Sequence, residues 1–444
     1  MSRRRRKKLP TEPVEAVIES LSHEGRGVGH VNGKTVFIDG ALPGEKVTFR
    51  YRRSRSSFAE GIIESLLENP SPDRIEAGCK HFLVCGGCSL QHLNSDKQLM
   101  HKQGVLEEQF HHMAGLQEWN RLPPLTGPLW GYRHKARLGV RYVTKKEKVL
   151  VGFREKYSNY IAELSECKVM HPSVGKRLNL LAELVGDLSI YNRIAQIEVA
   201  VDDQNTALIF RNLEPLSDED RRKLLEFGER HDIQIYMQPA GPHSVEAIAK
   251  ESYPQLYYEV DNGNIQINFA ATDFTQVNTS INRAMVDRVM QLLAPSADDN
   301  VMDLFCGVGN FTLPIASRAG SVIGIEGSET LVEKARQNAL YNGLDNVSFI
   351  AQDLSKESSM MAGKAINKLL LDPPRSGAEE VVSNWDFSGL SKIVYVSCNP
   401  ATLARDAAIL VNQRGFKLAA AGIMDMFPHT SHVESIAIFE NESF

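Results

Sequence analysis

Two short stretches put reactive side chains where a strand ends. "VYVSCNP" carries Cys398 between an apolar β-branched run and an Asn-Pro turn, and "LLLDPPR" carries Asp372 in the same setting. Proline fixes φ and stops a strand, so both turns are expected on one rim of a sheet, facing one substrate. A lone thiol at a strand end is most often a small buried hydrophobe. That reading leaves the pairing of an acid with a thiol unexplained. A thiolate suits an acceptor carbon too weak to attack an activated methyl unaided, such as C5 of a pyrimidine. Addition at C6 turns the ring into an enolate rich in electrons at C5, which splits one hard step into two easier ones. The C5 proton must then leave before the thiol is eliminated, so a base is required. "HTSHVESIAIFE" offers Glu434 just before the last apolar run, with His429 and His432 nearby.

A second group of residues reads as a cofactor rim. "VMDLFCGVGNFTL" passes from a strand through a glycine turn into a helix, with Asp303 before the turn and Gly307 and Gly309 inside it. A dinucleotide site carries a third glycine, and Thr312 stands in its place, which disfavours pyrophosphate binding and a dehydrogenase. Glu326 ends the next strand, where a carboxylate takes the hydroxyls of a ribose. Asp353 ends the one after, suited to the exocyclic amine of adenine. An acidic rim without a phosphate cradle fits S-adenosylmethionine, which has a ribose, an adenine and a cationic centre. Cys306, inside the turn, is read as present for its size.

The other four cysteines group differently. "CKHFLVCGGCSLQH" spaces Cys79, Cys85 and Cys88 by five and then two residues, and Cys167 follows far downstream. Three thiolates on one loop and one distant thiolate complete a tetrahedral S4 site. Spacing alone leaves zinc and an iron–sulfur cluster equally open, because C-x-x-C serves both.

The elements that must position these groups fall into three blocks over 444 residues. Residues 10–70 alternate short strands and turns, with an Asn32-Gly33 hairpin signal, and predict a β-barrel of about five strands. Residues 71–270 read as an α+β region that opens with a helix over 96–116, whose apolar face is Leu99, Val105, Leu106 and Phe110. Residues 271–444 alternate apolar strands with helices, the pattern of a doubly wound α/β sheet. The net charge of −5 hides "RRRRKK" at 3–8 and "RYRRSRSSF" at 50–58, cationic clusters that suit a polyanionic partner. No apolar run approaches the ~18 residues of a spanning helix, and the basic start lacks a signal peptide's apolar region. A cytoplasmic monomer is expected.

"FTQVN", "DLFCGVGNFTL", "DPPR", "SCNP" and "HVE" occur in this order, and together they resemble the bacterial RNA uracil-C5 methyltransferase family across the C-terminal third. The resemblance implies a Rossmann-like S-adenosylmethionine methyltransferase domain with Cys398 as nucleophile and Glu434 as base. It implies cofactor contacts from Gln276, Phe305, Asn310, Glu326, Asp353 and Asp372, the last also near the uracil. Cytosine-C5 relatives carry a second cysteine in the "DPP" turn, and its absence here favours uracil. Members of the 23S rRNA type bind a 4Fe-4S cluster through a cysteine pattern like Cys79, Cys85, Cys88 and Cys167, which the tRNA-modifying relatives lack. The N-terminal block resembles the TRAM domain, an OB-like RNA-binding barrel. Barrel and cluster together mark the longer 23S rRNA enzyme, so 23S rRNA is the expected partner, with its target uridine single-stranded or flipped out of the stack. Arg133, Lys135, Arg137 and Arg141 are then expected on phosphates, with Tyr132, Tyr142 or Phe58 available for stacking. An RNA-binding assembly factor without catalysis would need only the barrel, the basic strands and the cluster; the same chemistry on tRNA is the other alternative.

Overall fold

The computed structural model describes residues 9–68, 70–354 and 366–441. The basic run at 3–8 lies outside them. Five strands, Val14–Leu21, Gly27–Val31, Lys34–Asp39, Lys46–Ser54 and Phe58–Glu68, close into a barrel. Asn32 and Gly33 both have positive φ, 50° and 75°, the backbone of a tight hairpin whose twist matches its flanking strands. Alternate residues such as Ala16, Ile18, Val36, Ile38, Val47 and Phe49 fill the interior.

A six-stranded mixed sheet follows. Its strand Lys135–Val143 lies between Lys148–Gly152 and Ile194–Val201, with helices Leu178–Gly186 and Asp218–His231 supplying its apolar cover. A two-stranded ribbon, Leu256–Val260 with Ile265–Phe269, leads to the last sheet.

That sheet has eight strands. Counted in chain order from Asn300–Leu304, its first seven lie in the order 3-2-1-4-5-7-6. Strands one to five are parallel, while Glu434–Asn441 runs antiparallel between Lys392–Ser397 and Phe416–Met424. Its residues alternate faces as the pleat demands. Val394, Val396, Ile436 and Ile438 enter one core layer, and Ile393, Tyr395, Ala437 and Phe439 the opposite one.

The eighth strand comes from elsewhere in the chain. Asn120–Arg121 pairs in parallel with Phe416–Met424 at the sheet edge. The preceding helix, Ser95–Gln109, ends earlier than its apolar periodicity suggests, because Phe110–Ala114 forms a π-turn closed by Gly115 at φ 67°. Val105, Leu106, Phe110 and Ala114 bury against the eight-stranded sheet's second core layer, and Leu99 only borders it. Among the described residues no helix is long and apolar enough to cross a membrane.

Candidate active site

The order 3-2-1-4-5 puts a topological switch between Asn300–Leu304 and Lys368–Leu371, and open α/β sheets bind ligands at the carboxyl ends beside such a point. The glycine turn follows the first of these strands. Phe305 takes φ +65°, rare for a bulky residue, while its amide and that of Cys306 donate to the carbonyl of Ile325 at 2.8 and 3.2 Å. Strained backbone of this kind persists where the surroundings over-determine it. Glu326 leans back over the turn, its Oε2 accepting from the Gly307 amide at 3.3 Å and its Oε1 from the Ser328 amide at 3.1 Å. Thr312, in place of a third glycine, donates to buried Asp303 at 2.5 Å. Burial, with Glu326 adding to it, pushes the Asp303 carboxyl up to about 7. Cys306 is buried in the core, consistent with a role in size.

The two proline turns are laced together. Asn399 caps the helix Pro400–Arg414, its Oδ1 accepting from the Ala401 amide, while its Nδ2 donates to the Arg375 carbonyl at 3.1 Å. Thr402 donates to the same carbonyl, and Arg405 donates to that of Ser376. These bonds fix the "DPPR" turn against the "SCNP" turn.

Strand register brings the remaining group. Val396 pairs with Ile436 and Ser397 with Ser435, where the pairing ends; Cys398 and Glu434 are the next residues on the two segments, and the Glu434 charge acts on the Cys398 thiol. Burial raises the Cys398 thiol to about 11, with Glu434 and Asp372 adding to the rise and Arg375 opposing it. Asp372 is likewise held well above the carboxylate range by burial, then by Glu434 and Asp303. Cys398, Glu434 and Asp372 thus share one acidic, partly desolvated neighbourhood. His432 Nε2 stands 3.3 Å from Glu434 Oε1. A groove of about 670 Å³ runs from Cys398, Arg375, Asn399 and His432 past Ser89 to His23 on the barrel.

Other expected residues are placed differently. Asn310 is occupied by a reciprocal amide pair with Asn282 at 2.9 and 3.0 Å and by the Tyr258 hydroxyl. Gln276 is half-buried, in a segment whose next residue, Val277, accepts at its carbonyl from the His134 amide. Asp353 is exposed just beyond Val347–Ala351. Tyr132 is buried, its hydroxyl donating to the Pro428 carbonyl, which corrects the expectation that it stacks on a base. Lys135 donates to the Ala271 carbonyl, and burial lowers its ammonium to about 8. Arg137 remains largely exposed but pairs with Glu198 at 3.0 Å. Arg141 is exposed, Arg133 lies over the Phe427 ring, Tyr142 packs edge-on against Tyr191, and Arg55 lies over Phe58.

Cys79, Cys85, Cys88 and Cys167 line one cavity of about 160 Å³ together with Phe82, Phe153 and Leu164. Among the described residues no three His, Cys, Asp or Glu side chains are gathered tightly enough for a single metal ion. The Gly87 amide donates to Cys85 Sγ at 3.4 Å.

A sheet ordered 3-2-1-4-5-7-6, with acids at its strand ends and a thiol beside them, defines an S-adenosylmethionine methyltransferase fold. A profile described as tRNA (Uracil-5-)-methyltransferase matches residues 132–442, and one described as the TRAM domain matches residues 8–63. The chain belongs to the uracil-C5 RNA methyltransferase family. It is 51% identical over 442 residues to the 23S rRNA (uracil(1939)-C(5))-methyltransferase RlmD of Alkalilimnicola ehrlichii, covering 99% of each chain. With the protein of the same name from Nitrosococcus oceani it shares 52% over 444 residues, 98% of each. In fold it is similar to the Pyrococcus abyssi tRNA (uracil-54, C5)-methyltransferase solved with S-adenosyl-L-homocysteine. There the TM-score is 0.72 at 24% identity, over 96% of this chain and 100% of that one.

Proposed function

We propose that this chain methylates C5 of one uridine in 23S rRNA, with Cys398 as nucleophile, Glu434 as general base and S-adenosylmethionine as methyl donor. The observation that carries the reading is that Cys398 and Glu434 follow the last strand pair on one rim next to the glycine turn, close enough for the Glu434 charge to act on the thiol. The substrate follows from full-length relatives named as 23S rRNA uracil-C5 methyltransferases. Cys398 adds to C6 of the flipped base, which makes C5 nucleophilic. The cofactor supplies an electrophilic methyl when bound. Glu326 and Asp353 would hold its ribose and adenine, with Gln276, Phe305, Asn310 and Asp372 as further contacts; Asn310 must first exchange its bond to Asn282. Glu434 then takes the C5 proton, the C5=C6 bond re-forms and the thiolate leaves. A non-catalytic RNA binder would have no use for an acid brought beside a thiol on one strand rim.

The RNA reading is supported by a groove of about 1510 Å³ between the barrel and residues 156–159, where Lys34, Arg52, Arg53 and Arg55 are joined by Arg26, paired with Glu24 and Glu60, and Lys156, paired with Asp39. Tyr157 lies there beneath Arg52, a pairing that suits backbone phosphate beside a stacked base. For the cysteine cavity we propose a 4Fe-4S cluster held by Cys79, Cys85, Cys88 and Cys167; four thiols, an apolar lining and an amide aimed at sulfur fit such a group. Anaerobically purified protein is expected to be brown, with iron and labile sulfide; colourless protein with one zinc overturns the cluster. The decisive test of the whole reading is rRNA carrying 5-fluorouridine at the target. Wild-type protein should form a covalent complex through Cys398, and trapping that persists in Cys398→Ala overturns its role.

A further inference from the structure

The loop that carries the chain from Phe416–Met424 into Glu434–Asn441 is gripped largely from outside the catalytic sheet. The Ser89 and Leu90 amides donate to the His429 carbonyl at 3.0 and 2.9 Å. Gln98 Oε1 accepts from the His429 amide at 2.9 Å, and Ser89 Oγ accepts from the Ser431 amide at 2.9 Å. The strongest hold is Lys102. Its side chain is 0% exposed, and its Nζ donates to Asp425 Oδ1 at 2.6 Å and to the Phe427 carbonyl at 2.9 Å. It shares a helix with Val105 and Leu106, which are buried in the apolar core. Burial lowers the Lys102 ammonium, while Asp425 and then Glu434 oppose the fall, so Glu434 lies within reach of its field.

Stability is a poor reason for such a pair. Apolar replacements of similar volume are often neutral or stabilising, because taking two charges out of water is costly. What the ammonium supplies is direction. It fixes two oxygens of one loop from a single point, and so sets the path of the chain into His432 and Glu434.

We propose that Lys102 is a positioning residue for the base: it holds the 425–433 loop so that Glu434 faces the carbon held by Cys398. The proposal rests on the reading of Glu434 as base. After methyl transfer the ring is bonded through C6 to Cys398 Sγ and keeps its C5 proton. When Glu434 takes that proton, the C5–H electron pair becomes the C5=C6 bond and the C6–S bond breaks, releasing thiolate. A displaced carboxylate leaves addition and methyl transfer intact and stalls this last step.

The test uses full-length Lys102→Met and the double variant Lys102→Met with Asp425→Leu, which leaves no lone buried charge and so keeps the fold. Active sites are counted by trapping on 5-fluorouridine RNA, and turnover is measured on ordinary RNA. Each variant should lose about tenfold or more in turnover per active site, since small misplacements of a catalytic group are costly. Because the slowed step follows methyl transfer, the KM for RNA should fall together with turnover and leave kcat/KM within about twofold. A denaturation-resistant protein–RNA adduct should accumulate on ordinary uridine. A merely structural role lowers the number of active sites and leaves no adduct. Near-normal turnover in both variants, or loss without adduct, overturns the proposal. Glu434→Gln run alongside separates the two readings: if it also fails to accumulate adduct, the base assignment falls, and if it alone accumulates adduct, only the role of Lys102 falls.

Discussion

The acidic neighbourhood of Cys398 makes a quantitative prediction about its reactivity before substrate arrives. Burial, Glu434 and Asp372 raise the thiol from about 9 to about 11, against the pull of Arg375. At pH 8 a thiol at 11 is about one part in 1,000 ionised, against about one in 10 for a free thiol, and only the thiolate alkylates. A more basic thiolate is intrinsically more nucleophilic, which recovers a factor of about 10 over two units. Alkylation of the Cys398 peptide, followed by mass spectrometry in substrate-free protein at pH 8, should therefore run about tenfold slower than that of a free thiol. The sign is fixed by the direction of the shift: the rate should climb as pH rises and level off only near 11. Glu434→Gln removes one anion and should bring the plateau to lower pH; Arg375→Ala removes the opposing cation and should push it higher. A plateau below pH 9, or variants that move it the opposite way, would refute the placement of these charges around the sulfur.

Other outcomes follow from pairs far from the thiol. Glu45, with its side chain 0% exposed, accepts from Arg74 at 2.5 and 2.7 Å and from the Leu42 and Ser71 amides; Arg74→Ala strands that carboxylate and should cost about 3–5 kcal/mol in denaturant unfolding, if the transition is two-state. Although burial opposes it, bonds to Lys368, Ser296 and Asn367 hold the Asp299 carboxyl down at about 2. A depressed folded value adds stability above the ordinary carboxylate range that is lost as pH falls toward 2, so Asp299→Asn should flatten the acid limb of a melting-temperature profile between about pH 4 and 2. Phe110→Ala empties a fully buried site between the π-turn and the catalytic sheet, and should cost about 3–5 kcal/mol by the same unfolding measurement.

Local patterns made much of this molecule legible. Asn32-Gly33 announces its hairpin because only residues tolerant of positive φ close so tight a turn. Parallel strands buried on both faces read as apolar runs, so the strands that carry Asp303 and Glu326 and the one that leads into Cys398 stand out. Pairing between distant segments was harder to see. The pairing that brings Cys398 and Glu434 to one rim depends on a last strand entering antiparallel, which neither strand encodes alone. Tyr132 and Lys135 have the composition of RNA contacts, yet the packing of the 428 loop and of Ala271 over them turned both inward. Lys102 gave no signal at all, because a lysine on an amphipathic helix looks solvated until a carboxylate from 323 residues later closes over it. The helix itself was recognisable, but not the π-turn that shortens it.

The edge strand Asn120–Arg121 and the helix before it have a consequence for biosynthesis. Their partners, Phe416–Met424 and the helix Pro400–Arg414, leave the ribosome almost 300 residues later. At about 5–20 residues per second, Leu106 and Phe110 wait tens of seconds with an apolar face uncovered while the barrel can already close. The nascent chain is thus most exposed to aggregation in the middle of translation. A truncated product ending before residue 416 would carry that sticky face permanently, as a natural target for chaperones and proteases.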